Sequence, residues 1–321
     1  MSRPNKKELQ ARWDGQSTAS ALDSLLKGTP TSPFGAYDGR VDLRGLVIEK
    51  SPRVPVSGGL ARITQLREFD HVEVRDVDLS SSTVSDVRIF GSRFGNCVFD
   101  NAKLPGYRTW SGVFERCSFK STNLKDTMMG GPEMKDGKPW GPGSRYEDCD
   151  FSGADLRDIS TEFGRFVRCS FQRSRWHMTQ TLSAVFEQCD FRQADIDQVR
   201  FDGRRFDDNG LVGLNDNKMM GCDFSTAKLY GSSFLAIDCR NLIPPSGAQY
   251  VLIDAFPSKV RLALDRLKAD GTENAKWLAT LYEPEFRGST VLPGDAVGML
   301  DIGLLSDEEA RLLAAAFGIS R

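Results

Sequence analysis

Large apolar residues recur every five positions through the middle of the chain. From Phe69 the comb runs through Val74, Leu79, Val84, Ile89, Phe94, Phe99, Leu104, Thr109, Phe114, Phe119, Leu124 and Met129. It resumes at Tyr146 and continues through Phe151, Leu156, Thr161, Phe166, Phe171, Trp176, Thr181, Phe186, Phe191 and Ile196 to Phe201. A third run holds Met219, Phe224, Leu229 and Phe234. A helix repeats about every 3.6 residues and a strand every 2, so neither element alone produces this spacing. Two positions before most teeth stands a small or slim residue, such as Cys97, Ala102, Cys117, Thr122, Ala154, Cys169 and Ala194. Each five-residue unit therefore offers one large and one small inward group, with mostly polar residues between.

A longer period lies on top. Cys97 and Cys117 are twenty apart, as are Cys149, Cys169 and Cys189, and each is followed two residues later by Phe. Four units of five make one turn of a coil with four short sides. Stacked at strand spacing of ~4.8 Å, such coils place Phe on Phe and Cys on Cys in ladders along the axis. The thiols are then buried, apolar and inert, and in-register side chains pointing the same way do not suit disulfide geometry.

The comb breaks twice, at 130–144 and at 202–218, and both breaks fall between the third and fourth sides when the Cys-Phe side is counted first. Two loops are thus expected on one edge, three coils or ~14 Å apart. A loop on a rigid scaffold is tolerated anywhere, yet such loops often carry recognition. The candidate contact residues are Glu133, Lys135, Asp136, Lys138 and Trp140 in the first loop, and Arg204, Arg205, Asp207 and Asp208 in the second.

The flanks leave the comb. Residues 1–60 read as a cap with two short helices, the second starting at Ser17 or Thr18 and stopping at Gly28. Residues 61–243 hold the coils. Residues 244–321 read as a helical appendage, in which 258–270 and 272–283 form helices, and Ser306 with Glu309 forms a capping box before a helix that stops at Gly318. This appendage either covers the open end of the stack or joins two copies of the chain.

The totals narrow the function. A formal charge of -2 across 321 residues lacks the basic excess of a general nucleic-acid binder. No apolar run reaches the ~18–20 residues of a membrane span, and the N-terminus lacks the apolar core of a secretory signal, so a cytoplasmic protein is expected. Two histidines, His71 and His177, and seven unpaired-looking cysteines give no metal-ligand spacing. No nucleophile-base arrangement or phosphate-binding loop appears. The expectation is a protein with no cofactor and no catalytic role.

The units Ala154–Asp158 (ADLRD), Cys189–Gln193 (CDFRQ), Ala194–Gln198 (ADIDQ) and Cys222–Thr226 (CDFST) resemble those of the pentapeptide-repeat family, across about residues 67–240 with an outlying unit at Val41–Gly45 (VDLRG). The resemblance implies a mainly β protein, a right-handed quadrilateral β-helix with helical flanks. It also implies a binding module. The best-known members of the family act on DNA gyrase, a type II topoisomerase, by imitating the shape and charge of duplex DNA, and some carry two projecting loops. The alternative is a protein-interaction scaffold, such as an adaptor, immunity protein or effector, since fold alone does not choose the function.

Overall fold

Parallel strand pairing sets the register of the chain. The computed structural model describes residues 4–319 apart from 56–60, 64–65, 208–209 and 215–218. Each short strand pairs with the segment twenty residues later, as Phe94 does with Phe114 and Phe166 with Phe186. Where a break intervenes the offset grows to 32, as from Phe114 to Tyr146, or to 33, as from Ile196 to Leu229. The result is a β-helix in which every turn of chain contributes four short segments, here called walls one to four. Wall one is a column of single bridges, Asp78 to Val98, Ser118, Asp150, Ser170, Asp190 and Asp223. Wall four is a continuous six-stranded ladder from Glu73–Arg75 to Val185–Glu187.

The five-residue period has a local cause. Three residues per wall are extended, and the residue two beyond nearly every tooth turns the corner in the left-handed region. At the corner after wall four these are Asp76, Asn96, Arg116, Asp148, Arg168 and Gln188, with φ between +51° and +54°. That conformation is uncommon for residues other than glycine, and the corner recurs because the inter-coil hydrogen bonds hold it. Arg116 N–H, for example, donates to the Glu147 carbonyl at 2.9 Å.

Inside, two aromatic ladders run side by side. On wall one the rings of Phe99, Phe119, Phe151, Phe171, Phe191 and Phe224 stack with centroids 4.4–5.1 Å apart. On wall four Phe94, Phe114, Tyr146, Phe166 and Phe186 do the same at 4.7–5.1 Å. The ladders meet edge to face, as Phe166 does with Phe171 at 5.7 Å; stacked and edge-to-face pairs each add to simple burial. The cysteines fill the gap between them. The thiols of Cys117, Cys149, Cys169 and Cys189 lie 3.4–3.5 Å from the backbone carbonyl of the preceding coil's wall-four aromatic. All seven cysteines are free and buried, and burial pushes the Cys169 thiol up from its ordinary value.

The ladder begins earlier than residue 61. Val41–Asp42 pair in parallel with Val77–Asp78, and Val47–Ile48 with Thr83–Val84. An extra antiparallel hairpin, Arg53–Pro55 with Ala61–Ile63, separates this first half-turn from the next wall. Ahead of it come helix α1 (Lys6–Ala11) and helix α2 (Gly15–Leu26), with Leu9, Ala21 and Leu25 buried. The cap of α2 is Asp14, whose carboxylate accepts from Ser17 N–H, so Ser17 lies inside the first turn and not at the cap. A carboxylate outcompetes the next hydroxyl because it also meets the positive end of the helix dipole. Arg12 reaches down to hold Asp42 through both guanidinium nitrogens, at 2.9 and 2.6 Å, and Arg44 holds the same carboxylate at 2.9 Å.

At the other end, helices α3 (Phe256–Asp270), α4 (Glu273–Ser289) and α5 (Asp307–Phe317) build a second core around Val260, Ala263, Leu278 and Leu313. This unit also contains an antiparallel strand pair, Tyr250–Ile253 with Gly298–Asp301, which was not expected from sequence. Met299 belongs to the core of the β-helix, and Cys239 N–H donates to the Val297 carbonyl. Helix α4 runs on through Pro284, past the expected stop at Glu283. The lost hydrogen bond is offset by tertiary packing: Gly288 approaches Leu235 so closely that a β-carbon there would lie 2.3 Å from the leucine side chain.

Candidate protein-interaction edge

Both sequence breaks form antiparallel hairpins, and both leave the corner between walls three and four. The first pairs Glu133–Lys135 with Lys138–Trp140. Asp136 and Gly137, at φ +53° and +74°, make the two-residue turn that an Asp-Gly pair favours. The second pairs Arg204–Asp207 with Gly210–Leu214, with an irregularity between Arg205 and Phe206. The chain enters the first hairpin from Met129, which bridges the same wall as Phe201 three coils on: Met128 pairs with Ser160, Ser160 with Gln180, and Gln180 with Arg200.

The first hairpin is tied to the coil at its base. Ser111 Oγ accepts from Glu133 N–H at 3.0 Å and donates to the Pro142 carbonyl at 2.8 Å, so one side chain holds both legs. Above it, His71 Nδ1 sits 2.7 Å from the Asp70 carboxylate and Nε2 sits 3.4 Å from Glu133 Oε1. The Asp70 hydrogen bond, assisted by the Glu133 charge, raises the His71 pKa from its ordinary value. Neither Ser111 nor His71 was singled out for this role from sequence, because the contact joins residues 22 to 62 positions apart.

Of the sequence-predicted contact residues, Glu133 is half-buried against His71, whereas Lys135, Asp136 and Lys138 are exposed at the hairpin end. Arg204 is half-buried and binds the Asp202 carboxylate at 2.6 Å. The side chains of Trp140, Arg205 and Asp207, and the whole of Asp208, lie outside the described residues. The first set of five is therefore gathered on one hairpin, and Arg204 is turned inward to its own wall.

The walls themselves carry interleaved charge. Arg168 binds Asp148 at 2.7 Å and also Glu147, which holds the Asp148 carboxyl below the usual range. Asp155 is held by Arg157 at 2.7 Å and by Arg175 from the next coil at 3.1 Å. His177, the other histidine, contacts Asp197 at 2.8 Å. Wall three differs from the rest. It presents Phe90 stacked on Trp110 at 4.8 Å and 6°, then Phe163 with 40 % of its surface exposed.

A β-helix of five-residue units that holds hairpins out from one edge defines a repeat solenoid, a class whose rigid surface is extended and whose coils contact only their neighbours. No family model matches the chain. Over 75 residues, 22% of this chain, it is 35% identical to the pentapeptide repeat protein MfpA of Mycobacterium tuberculosis, and it spans 41% of that relative's length. In its repeats and its coil, as over that matched stretch, the chain is similar to pentapeptide-repeat proteins. Similar solved structures include HetL, a pentapeptide repeat protein involved in heterocyst differentiation regulation from the cyanobacterium Nostoc, with 8% identity, 66% of this chain and 92% of that chain covered, and a TM-score of 0.29. They also include QnrB1, a plasmid-mediated fluoroquinolone resistance protein, with 19% identity, 49% and 72% covered, and a TM-score of 0.16.

Proposed function

We propose that this protein is a non-enzymatic protein-binding module that engages its partner along the edge bearing the two hairpins. The observation that carries the reading is the shared corner: two hairpins about three coils, or ~14 Å, apart give a two-point contact from a scaffold too rigid to lose much entropy on binding. The partner implied most specifically by the repeat resemblance is a type II topoisomerase, DNA gyrase, and self-association through α3 to α5 belongs to the same reading.

Charge modifies the topoisomerase form of the proposal. Between residues 77 and 236, leaving out 132–143 and 204–218, seventeen Asp and Glu face sixteen Lys and Arg. The six coil steps in that span cover ~29 Å, over which duplex DNA carries roughly 17 negative charges. Four walls that together are nearly neutral do not reproduce that field in sum, so engagement of gyrase rests more on shape and hairpins, and the scaffold alternative gains weight. The test is a gyrase supercoiling assay with and without the protein, in the presence and absence of a quinolone, repeated with residues 132–143 deleted. Inhibition or rescue that disappears with the hairpin supports the proposal. No effect in any arm removes the topoisomerase partner, and an intact effect in the deleted protein removes the hairpin edge.

A further inference from the structure

Wall three carries a group of side chains that the β-helix does not use. Arg88 and Arg108 stand in register on adjacent coils, as do Phe90 and Trp110 beside them. The two rings stack in parallel. Among the described residues neither guanidinium makes a hydrogen bond or an ion pair, and the Trp110 indole N–H has no acceptor. Arg145, Arg157, Arg165, Arg168 and Arg192 on the other coils each hold a carboxylate, while Arg93, Arg116, Arg173 and Arg200 are likewise without one among the described residues; what sets Arg88 and Arg108 apart is that they lie in register with each other beside a stacked aromatic step. Two like charges one coil apart, ~4.8 Å along the stack, repel each other, and the one carboxylate in register beside them is Glu68, on the far side of Arg88 from Arg108.

We infer that this patch is a docking site for an extended acidic segment of a partner protein, one in which a carboxylate and an aromatic or large aliphatic residue are two positions apart. Arginine and aromatic side chains lie at the two outward positions of one strand, flanking the inward Ile89 or Thr109. Their separation is about 6.6 Å, two residues of strand rise. An extended chain has the same spacing between its own alternate side chains, so residue j can set its carboxylate across both guanidiniums while residue j+2 lies on the Phe90–Trp110 step. Arginine forks bind carboxylates bidentately, and the free indole N–H supplies a further donor toward the segment. A nucleic-acid strand fits less well. The basic row is only two coils long, and in register above it stand Glu68 over Arg88 and Asp70 over Phe90, which oppose a continuing phosphate chain. The site lies on the wall that ends at the first hairpin, so the inference rests on the binding-module reading and names the kind of segment it takes.

The test uses the full chain and fluorescein-labelled nonapeptides with Glu-Thr-Phe, Phe-Thr-Glu, Lys-Thr-Phe or Glu-Thr-Ser at their centres, read by anisotropy. One of the first two binds, the latter two bind at least tenfold more weakly, and Arg88→Gln with Arg108→Gln weakens binding at least tenfold while the melting temperature stays unchanged. The proposal is overturned if neither Glu/Phe peptide binds up to millimolar concentration, if the Lys peptide binds equally, or if the double variant binds as the parent does. It is also overturned if an oligo-dT strand binds more tightly than the peptides in an Arg88- and Arg108-dependent manner. Deleting residues 132–143 separates the two readings. Peptide binding that survives the deletion, with gyrase effects lost, keeps both; absent peptide binding with hairpin-dependent gyrase effects intact sinks only this one.

Discussion

Met178→Gly is expected to stabilise the protein, against the usual direction for losing a side chain. Met178 turns the corner after wall two with φ +48°, and 58% of its surface is exposed. Its backbone N–H donates to the Asp197 carbonyl at 3.1 Å, a bond that glycine keeps. For an L-residue the left-handed conformation costs roughly 1–2 kcal/mol, which glycine does not incur. Against this, glycine gives the unfolded chain more freedom, worth about 0.4–1 kcal/mol, and a little apolar contact is lost. The net is a gain of about 0.5–1 kcal/mol. Met178→Val runs the other way, because a β-branched residue in this region is a genuine outlier, and it should cost at least 1–2 kcal/mol, about the scale of a strained backbone residue. Both are read from urea denaturation midpoints, fitted with a nearest-neighbour scheme because a solenoid need not unfold in two states. The reasoning fails if glycine destabilises by more than about 1 kcal/mol, or if valine is tolerated as well as methionine; either result would mean that Met178 is held by packing and not by the corner.

Phe171→Ala removes a fully buried ring stacked on Phe151 and Phe191 at 5.1 and 5.0 Å and should cost about 3–5 kcal/mol by chemical denaturation, whereas a loss below about 1 kcal/mol contradicts the ladder. His71 should titrate above its ordinary value of about 6.5, since Asp70 and Glu133 favour the charged ring; its hold on the hairpin is then full below that value and is lost as pH rises through the raised one. An NMR titration of the His71 ring checks this, and a midpoint at or below the ordinary value refutes it. Burial alone would raise the Asp42 carboxyl, but hydrogen bonds from Arg12 and Arg44 outweigh it and hold the group well below the usual range. Its contribution is therefore present above the unfolded value of about 3.9 and fades as pH falls through the lower folded one. Asp42→Asn should cost about 3 kcal/mol at neutral pH and lessen the acid sensitivity between pH 4 and 2, as followed by circular dichroism.

The coils were legible because their information is local and repeated. A tooth such as Phe166 and its slim companion Gly164 sit two residues apart, and the same pair returns twenty residues later as Phe186 and Ala184, so counting alone aligns them. The edge of the two hairpins was legible for the same reason, since an insertion between known teeth can leave only at one corner. What escaped was whatever breaks the count or joins distant coils. The first half-turn at Val41–Ile48 showed only as the outlying unit Val41–Gly45, because its hairpin insertion shifts the phase by one residue between Ile48 and Phe69. The strand pair Tyr250–Ile253 with Gly298–Asp301 joins segments nearly fifty residues apart with two helices between them. Ser111 and His71 serve the hairpin only because parallel stacking brings residues 71, 91, 111 and 131 to one corner, and no local pattern marks a corner residue as a clamp. The unpaired Arg88 and Arg108 had a visible periodicity, being twenty apart, but their lack of a partner is a property of neighbouring coils. A repeat therefore discloses its interior from sequence, where every position is compared with itself, and withholds its surface, where each coil's outward residues take their meaning from the coils above and below.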